Sequence, residues 1–548
     1  MGYSPYEKML YWYKLFNLKP RESQIKAAEL IADNWEKKYH VVSAPTGVGK
    51  QFIALSTAFA AGKAYILTHT KQLQDQYIHG PGDVVDLRGR GNYKCGINPT
   101  MTAADAPCVQ FKHIVGQCAK RGICPYIQQK QKALAADNLS TNYAYFLYSR
   151  LCGPFQECDP RNIFIADEGH ILENQLINFA EFELNPEEIK DEFGIYDMSW
   201  NFTGSEEENV EIVDSIAAEM NAEKSRLEIG VNKIYRRLGI NEETVTAKDI
   251  QDLPDKEKRK IKELLSQADK LDKTLKKINI YLSTRKHSEW VVHSNDEKNS
   301  LIVTPLTSDS LFHPFCGSSA HKFLFLSATI GDPEEFAREL GLPLNDCNFV
   351  EVDSTFDAEE SPIIHISVGK FNYKEIDRTL PKALKVIDSL LNEHSGDKGI
   401  IHSTSYKITN FIAQNSIHRS RLLHKGVKKF GTNNNELIKM HEESKQSTVL
   451  LSPSMGTGIS LDDELARFQI IIKLPFLSLG DPRVKRKMDI SNSWYRNKMW
   501  QEIMQSSGRA TRSDDDYCIT YILDESMEYF YQLDRKRLPE WFKDRLIF

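Results

Sequence analysis

The sequence predicts an α/β protein with two parallel-sheet domains, the first of them interrupted by two insertions. Three observations lead there. The chain has 548 residues, and single hydrophobic cores stop growing at roughly 250 to 300 residues, so more than one domain is required. Two series of short apolar runs alternate with helical patterns, as buried parallel strands and their crossover helices do. Two stretches break that alternation.

The first series comprises the runs at 41–44, 64–68, 163–166 and 323–326, and the second those at 362–366, 399–402, 448–451 and 469–472. Each run is four or five residues long and rich in Val, Ile, Leu or Phe, which suits a strand covered on both faces. The first interruption, 92–135, holds four cysteines and little strand pattern. The second, 178–300, is charged and helical, with Ile261, Leu264 and Leu265 continuing toward Leu271, Leu275 and Ile278 at helical spacing. The expected division is therefore 1–91, 136–177 and 301–335 for the first sheet domain, 92–135 and 178–300 for its insertions, and 336–548 for the second sheet domain.

Composition excludes several classes. With 41% hydrophobic and 27% charged residues, the chain is neither disordered nor fibrous. No apolar run approaches the roughly 18 residues that span a bilayer, and the N-terminus lacks a signal-peptide pattern, so no membrane partner and a cytoplasmic location are expected. Nine cysteines without a secretion signal are thiols or metal ligands rather than a disulfide framework. The net charge of -6 carries no global nucleic-acid signal. Charge is nevertheless segregated: between Arg88 and Lys132 eight basic residues face one acidic, Asp105, whereas from Glu181 to Glu219 thirteen acidic residues face one basic, Lys190. The first segment attracts a polyanion and the second repels it.

The strand-like run at 41–44 leads into Ala44-Pro45-Thr46-Gly47-Val48-Gly49-Lys50 and then a helical pattern. Glycines at 47 and 49 let backbone N–H groups curl around phosphate at a helix N-terminus, and Lys50 reaches the β and γ phosphates. Gln51 stands where a Ser or Thr hydroxyl normally binds Mg²⁺; its amide oxygen would have to serve instead, or hold a metal-bound water. A second apolar run ends in Asp167-Glu168-Gly169-His170. This places two carboxylates at a strand's carboxyl end, Asp167 for Mg²⁺ and Glu168 to orient or deprotonate water. ATP and Mg²⁺ are the expected ligands.

Taken together, these residues resemble superfamily two helicases, specifically the XPD/DinG family of iron-sulfur helicases, over nearly the whole chain and in order. Residues 20–24, with Arg21 and Gln24, look like the adenine-sensing Q motif, residues 44–50 like motif I, and residues 167–170 like the DEAH box with Gly169 replacing alanine. Thr68-His69-Thr70 is similar to motif Ia and Ser327-Ala328-Thr329 to motif III. In the second domain, residues 401–406 resemble motif IV, 452–458 ending in Gly458 motif V, and 505–512 motif VI. The resemblance implies two RecA-like motor domains, an iron-sulfur cluster insertion and a helical Arch-like insertion. It adds His170, Gln505, Arg509 and Arg512 to the catalytic set, with the two arginines on the γ-phosphate. Taken alone, Arg509 and Arg512 read as surface salt-bridge formers. In phosphoryl transfer, guanidinium groups reaching across a domain cleft stabilise developing charge.

Cys95, Cys108, Cys118 and Cys124 are separated by twelve, nine and five residues. The tight pairs of zinc sites are missing, and spacing alone leaves an iron-sulfur cluster and buried thiols both open. The resemblance implies a structural four-iron, four-sulfur (4Fe-4S) cluster on these four, in keeping with the flanks 89–94 and Pro125-Tyr126. Tyr93 and Tyr126 are then candidates for base stacking or, equally, for core packing.

The resemblance further implies a monomeric ATP-dependent helicase moving 5′ to 3′ on single-stranded DNA and opening forked or 5′-tailed duplexes, with DNA-RNA hybrids as further substrates. Two rivals stand beside it: a translocating ATPase that remodels protein-DNA complexes, and a catalytically weak DNA-binding module, which Gln51 suggests.

Overall fold

The computed structural model of the chain describes residues 2–110, 122–195, 206–240, 252–295, 297–354, 358–425, 434–453, 463–508 and 517–548. The strands in the first half are Tyr39–Ser43 (β1), Ala64–Thr68 (β2), Val84–Asp86 (β3), Asn138–Asn142 (β4), Arg161–Asp167 (β5), Phe182–Leu184 (β6), Trp290–Asn295 (β7), Ser300–Pro305 (β8), Ala320–Ser327 (β9) and Cys347–Glu351 (β10). One parallel sheet has the order β10-β1-β9-β5-β2-β4-β3.

Side chains alternate between two cores across this sheet. Val41, Phe164, Ala166, Phe323 and Phe325 enter one, while Val42, Ile163, Ile165, Leu324 and Leu326 enter the other. Helices cover both faces, which is why these strands read as unbroken apolar runs. Phe323 and Phe325 are fully buried, each worth about 1.5–3 kcal/mol of transfer free energy.

The second half repeats the plan with Ile363–Gly369 (β11), Gly399–His402 (β12), Leu422–Leu423 (β13), Val449–Ser452 (β14), Phe468–Ile471 (β15), Ile519–Asp524 (β16) and Leu546–Ile547 (β17). They form a second parallel sheet in the order β13-β14-β12-β15-β16-β11-β17. Both sheets are α/β layers of the kind expected.

Two boundaries move. β10 pairs with β1, so the first domain continues past 335 to Glu351 before the chain crosses over. β8 pairs with β6 and β7 in an antiparallel sheet, so residues 301–305 belong with the second insertion and not with the first parallel sheet. That insertion carries two long helices, Glu206–Arg237 and Asp255–Thr284. Ion pairs Asp214 to Arg285, Lys224 to Asp272 and Glu257 to Arg237 show that they run antiparallel. In the first insertion, the helix Pro125–Ala135 starts at Cys124 and ends on Arg161. The Arg161 guanidinium, buried and stacked on Tyr65, donates to the carbonyls of Ala133, Leu134, Ala136 and Asp137, a cationic cap that holds the insertion to the sheet.

The domains meet through charge as well as packing. Glu173, on the helix Leu172–Ala180, is 2% exposed and accepts from Lys498 at 2.6 Å, Arg483 at 3.3 Å and the Trp494 indole at 3.3 Å. Beside it Glu339 pairs with Lys487 at 2.7 Å. The acids come from the first domain and their partners from helices Pro482–Ile490 and Asn492–Ser507 of the second.

Candidate active site

β1 delivers the chain into the loop 44–49, and the helix Lys50–Ala61 (α3) leaves it. Gly47 and Gly49 hold φ of 82° and 77°, the left-handed region that a side chain resists. The loop is braced from behind. Gln24, 4% exposed on the helix Glu22–Ala32, donates through its amide to the Val48 carbonyl at 2.9 Å, and the Arg21 guanidinium donates to the Gly47 carbonyl. A Cβ at Gly49 would stand 2.5 Å from the Gln24 amide nitrogen, so the Q-like segment and the loop are fitted to one another. Ala44 and Val48 are fully buried, and the Ala44 N–H donates to Ser327 across to β9. Pro45 and Thr46 line a cavity of about 290 Å³ with Asp353, Ser354, Trp541 and Arg545.

β5 ends at Asp167, and Glu168 follows with φ 54°, a left-handed glutamate whose strain costs on the order of 1–2 kcal/mol. That turn aims its carboxylate at the loop. Lys50 Nζ lies 3.7 Å from Glu168 Oε1. Ser327 Oγ donates to Glu168 Oε2 at 3.2 Å, His170 Nδ1 lies 2.7 Å from Ser327 Oγ, and the Thr329 N–H donates to Ser327 Oγ at 3.0 Å. Thr329 Oγ1 in turn donates to Gln505 Oε1 at 3.1 Å, on the helix Asn492–Ser507 of the second domain. Gln501 donates to the Ile330 carbonyl at 2.7 Å. A continuous side-chain path thus runs from Lys50 to Gln505.

The two carboxylates are shifted in opposite directions. Burial, then the neighbouring Glu168 charge, pushes Asp167 up to about 6. Against its own burial, the Lys50 ammonium and the hydrogen-bonded His170 hold Glu168 at about 2. The Lys50 ammonium opposes both shifts that burial imposes, so two buried carboxylates and one cation share the end of β5. Tyr77 and Tyr143 are fully buried phenols packed against Asp167, and Tyr143 donates to its main-chain carbonyl at 2.8 Å. Ser327 and Thr329 belong to the segment that resembles motif III, whereas the two tyrosines were marked by no motif; a buried aromatic inside a helix has no local sequence signal.

Arg509, Arg512, Gly458 and Cys118 lie outside the described residues. The helix Asn492–Ser507 ends at Gly508, whose Cβ position lies 3.6 Å from the Thr46 side chain.

Among the described residues no group of three or more His, Cys, Asp or Glu side chains closes on a common point. The described cysteines are all thiols. Cys95 and Cys124 are brought near one another by backbone contact, since a Cβ at Gly96 would fall 1.6 Å from the Ile123 carbonyl oxygen. Cys108 and Cys124 border the same apolar cluster of Val231, Ile234, Tyr235, Leu253 and Ile261. Cys152 and Cys158 donate instead to carbonyls four residues back, Tyr148 and Pro154.

Part of the expected DNA surface is already engaged. Tyr126 is buried, shares a 2.8 Å hydrogen bond with the Tyr145 hydroxyl and carries Arg90 on its face at 4.9 Å. The Tyr93 hydroxyl accepts from the Arg88 N–H at 3.1 Å. Tyr126 is a packing residue, while Tyr93 is only partly buried. Arg88 is paired with Asp75 and Asp86; among the described residues of the basic segment, Lys94 and Lys132 are exposed, and Lys112, Lys120 and Arg121 lie outside them.

A family model described as a helicase C-terminal domain matches residues 388–545, and one described as DEAD_2 matches residues 92–189. The ATP-dependent DNA helicase YoaA of Haemophilus influenzae is 22% identical over 86% of this chain and 84% of its own length, and YoaA of Escherichia coli is likewise 22% identical over the same shares. Among solved structures, an XPD helicase aligns over 96% of this chain and 99% of its own at TM-score 0.57 and 16% identity, and S. tokodaii Xpd4 over 96% and 100% at TM-score 0.53 and 15% identity. Among the described residues no helix is long and apolar enough to cross a membrane.

Proposed function

From the premise that this chain is a superfamily two helicase of the XPD/DinG type, we propose that it is an ATP-driven motor that moves 5′ to 3′ along single-stranded DNA and opens duplex DNA. The observation that carries the reading is the path from the Lys50–Glu168 ion pair at 3.7 Å through the hydrogen bonds of Glu168 with Ser327, Ser327 with Thr329 and Thr329 with Gln505. Nucleotide chemistry at one sheet is thereby tied to a helix of the other sheet, as a machine that converts phosphate cleavage into domain movement requires.

In this reading, the loop 44–49 and Lys50 hold the phosphates. Asp167 holds Mg²⁺, which would neutralise charge on the transferring phosphoryl group. Glu168, ionised throughout the physiological range, orients the attacking water and accepts its proton. Arg509 and Arg512 reach the γ-phosphate from the second domain; the approach of Gly508, the residue before Arg509 in sequence, to Thr46 supports this. Separating stacked pairs costs about 1.4 kcal/mol per step, so unwinding needs repeated energy input.

Cys95, Cys108, Cys118 and Cys124 would hold a structural 4Fe-4S cluster. Support comes from two separate approaches: the Gly96 backbone lies against Ile123 and Cys124, and Cys108 and Cys124 border one apolar cluster drawn from the second insertion, although among the described residues no three such side chains meet at a common point. Bound there, the cluster would staple a loop-rich segment that has little core of its own. Polarity follows from the family alone, because the motor motifs are common to helicases of both directions.

The test uses matched duplexes carrying only a 5′ or only a 3′ single-stranded tail. ATP-dependent strand separation from the 5′ tail, weakening steeply as salt rises, is the expected result. Efficient unwinding from the 3′ tail alone refutes the polarity, and ATP turnover without any strand separation refutes the helicase.

A further inference from the structure

The phosphate loop departs from its usual chemistry at Gln51, the second residue of α3. Where a hydroxyl would offer a hard oxygen to Mg²⁺, this side chain reaches toward the helix Lys71–His79 (α4) and donates its amide nitrogen to the Gln76 carbonyl at 2.8 Å. Reversing the amide would set two acceptors face to face, so the nitrogen's placement is dictated by hydrogen-bond chemistry. The slot is built for it. Gly80 caps α4, and a Cβ there would stand 2.3 Å from the Gln51 amide nitrogen and 3.0 Å from the Gln76 carbonyl oxygen. Gly80 has an ordinary φ of -75°, so what the glycine supplies is space. One residue further along α4 from Gln76, Tyr77 is buried against Asp167. α4 therefore touches both halves of the nucleotide site, the loop through Gln51 and the metal-side carboxylate through Tyr77.

We propose that Gln51 is a positioning residue rather than a metal ligand: it fastens α4 to the phosphate loop and leaves Mg²⁺ to Asp167 without a second protein oxygen from the loop. The proposal rests on the reading of residues 44–50 as the phosphate site. Two consequences follow. Nucleotide binding depends weakly on Mg²⁺ in this chain, and restoring a hydroxyl at 51 strengthens that dependence at the cost of the link to α4.

The experiment titrates a fluorescent N-methylanthraniloyl-ADP into the full chain with Mg²⁺ and with chelator, for the wild type, Gln51→Thr, Gln51→Ala and Lys50→Ala. Mg²⁺ should tighten binding only about threefold or less in the wild type and in Gln51→Ala, but about tenfold or more in Gln51→Thr, the factor that one charge-assisted contact supplies. Hydrogen exchange of the α4 amides should quicken in both Gln51 variants as the link to Gln76 is lost. Loss of the Mg²⁺ effect in Gln51→Ala would make Gln51 a ligand, and an unchanged Mg²⁺ effect in Gln51→Thr or unchanged α4 exchange would equally overturn the proposal. If the wild type and Lys50→Ala bind the nucleotide alike, the phosphate-site reading itself has failed.

Discussion

Glu173 is the residue whose loss should most disturb the joint between the two domains. It is 2% exposed, with the Lys498 ammonium at 2.6 Å and the Arg483 guanidinium at 3.3 Å. Against its own burial, these two cations hold its carboxyl down at about 2. Relative to an ordinary glutamate at 4.5, that depression corresponds to about 3 kcal/mol at neutral pH. Removing one partner of a buried ion pair independently costs about 3–5 kcal/mol, because the remaining charges stay buried and uncompensated. Glu173→Gln preserves shape while deleting the charge, so it should lower the urea unfolding midpoint by an amount equivalent to about 3 kcal/mol. The sign with pH is fixed by a depressed acid: the stabilisation is present above pH 4.5 and is lost as pH falls toward 2. The difference between wild-type and Glu173→Gln stability should therefore shrink over that window and be flat above it. Adding Lys498→Met to Glu173→Gln should recover part of the loss, since fewer unpaired charges remain. A midpoint change equivalent to less than about 1 kcal/mol at pH 7, typical of an exposed pair, would refute the argument that this joint is held by desolvated charge.

Lys50→Ala should abolish ATP turnover while single-stranded DNA binding persists, and Glu168→Gln should bind ATP without cleaving it; wild-type turnover by either would refute the site. Because Asp167 is pushed up to about 6 and must be ionised to hold a cation, metal-dependent nucleotide binding should fall as pH drops through 6, and the same binding measured with chelator should not. Protein purified without air should be brown and carry about four irons per chain, and Cys118→Ser should bleach it. A colourless preparation with stoichiometric zinc would overturn the cluster.

The glycine-bearing loop after β1, the placing of Asp167 and Glu168 at the end of β5 and four of the seven strands in each sheet were legible in the sequence because their signals are local. Glycine at fixed offsets, a lysine at a helix start and unbroken apolar runs each follow from the backbone geometry of a few consecutive residues. Less local features were not legible. The strand β7 lay inside a segment expected to be helical, although Trp290-Val291-Val292 carries β-branched and aromatic residues, and β8 was expected in the first parallel sheet rather than in the insertion's antiparallel one. β10 joined the first sheet from beyond the expected boundary because pairing with β1 depends on a neighbour some 300 residues away in sequence.

Tertiary structure alone decided what the polar side chains do. In the sequence Gln51 stands where a hydroxyl usually binds Mg²⁺, with its amide oxygen open as a substitute ligand; only the approach of Gln76 and the space at Gly80 show where its amide goes. Tyr126 reads equally as a stacking platform or as core until Tyr145 and Arg90 are seen against it. Glu173 reads as a solvated helix residue until Lys498 and Arg483 arrive from the other domain. A hydrogen bond or ion pair is made between atoms about 3 Å apart in space, and separation along the chain carries almost no information about that distance once the fold has closed. Apolar periodicity therefore determined the layers of this protein, while the partners of its buried charges and amides were set by how those layers were brought together.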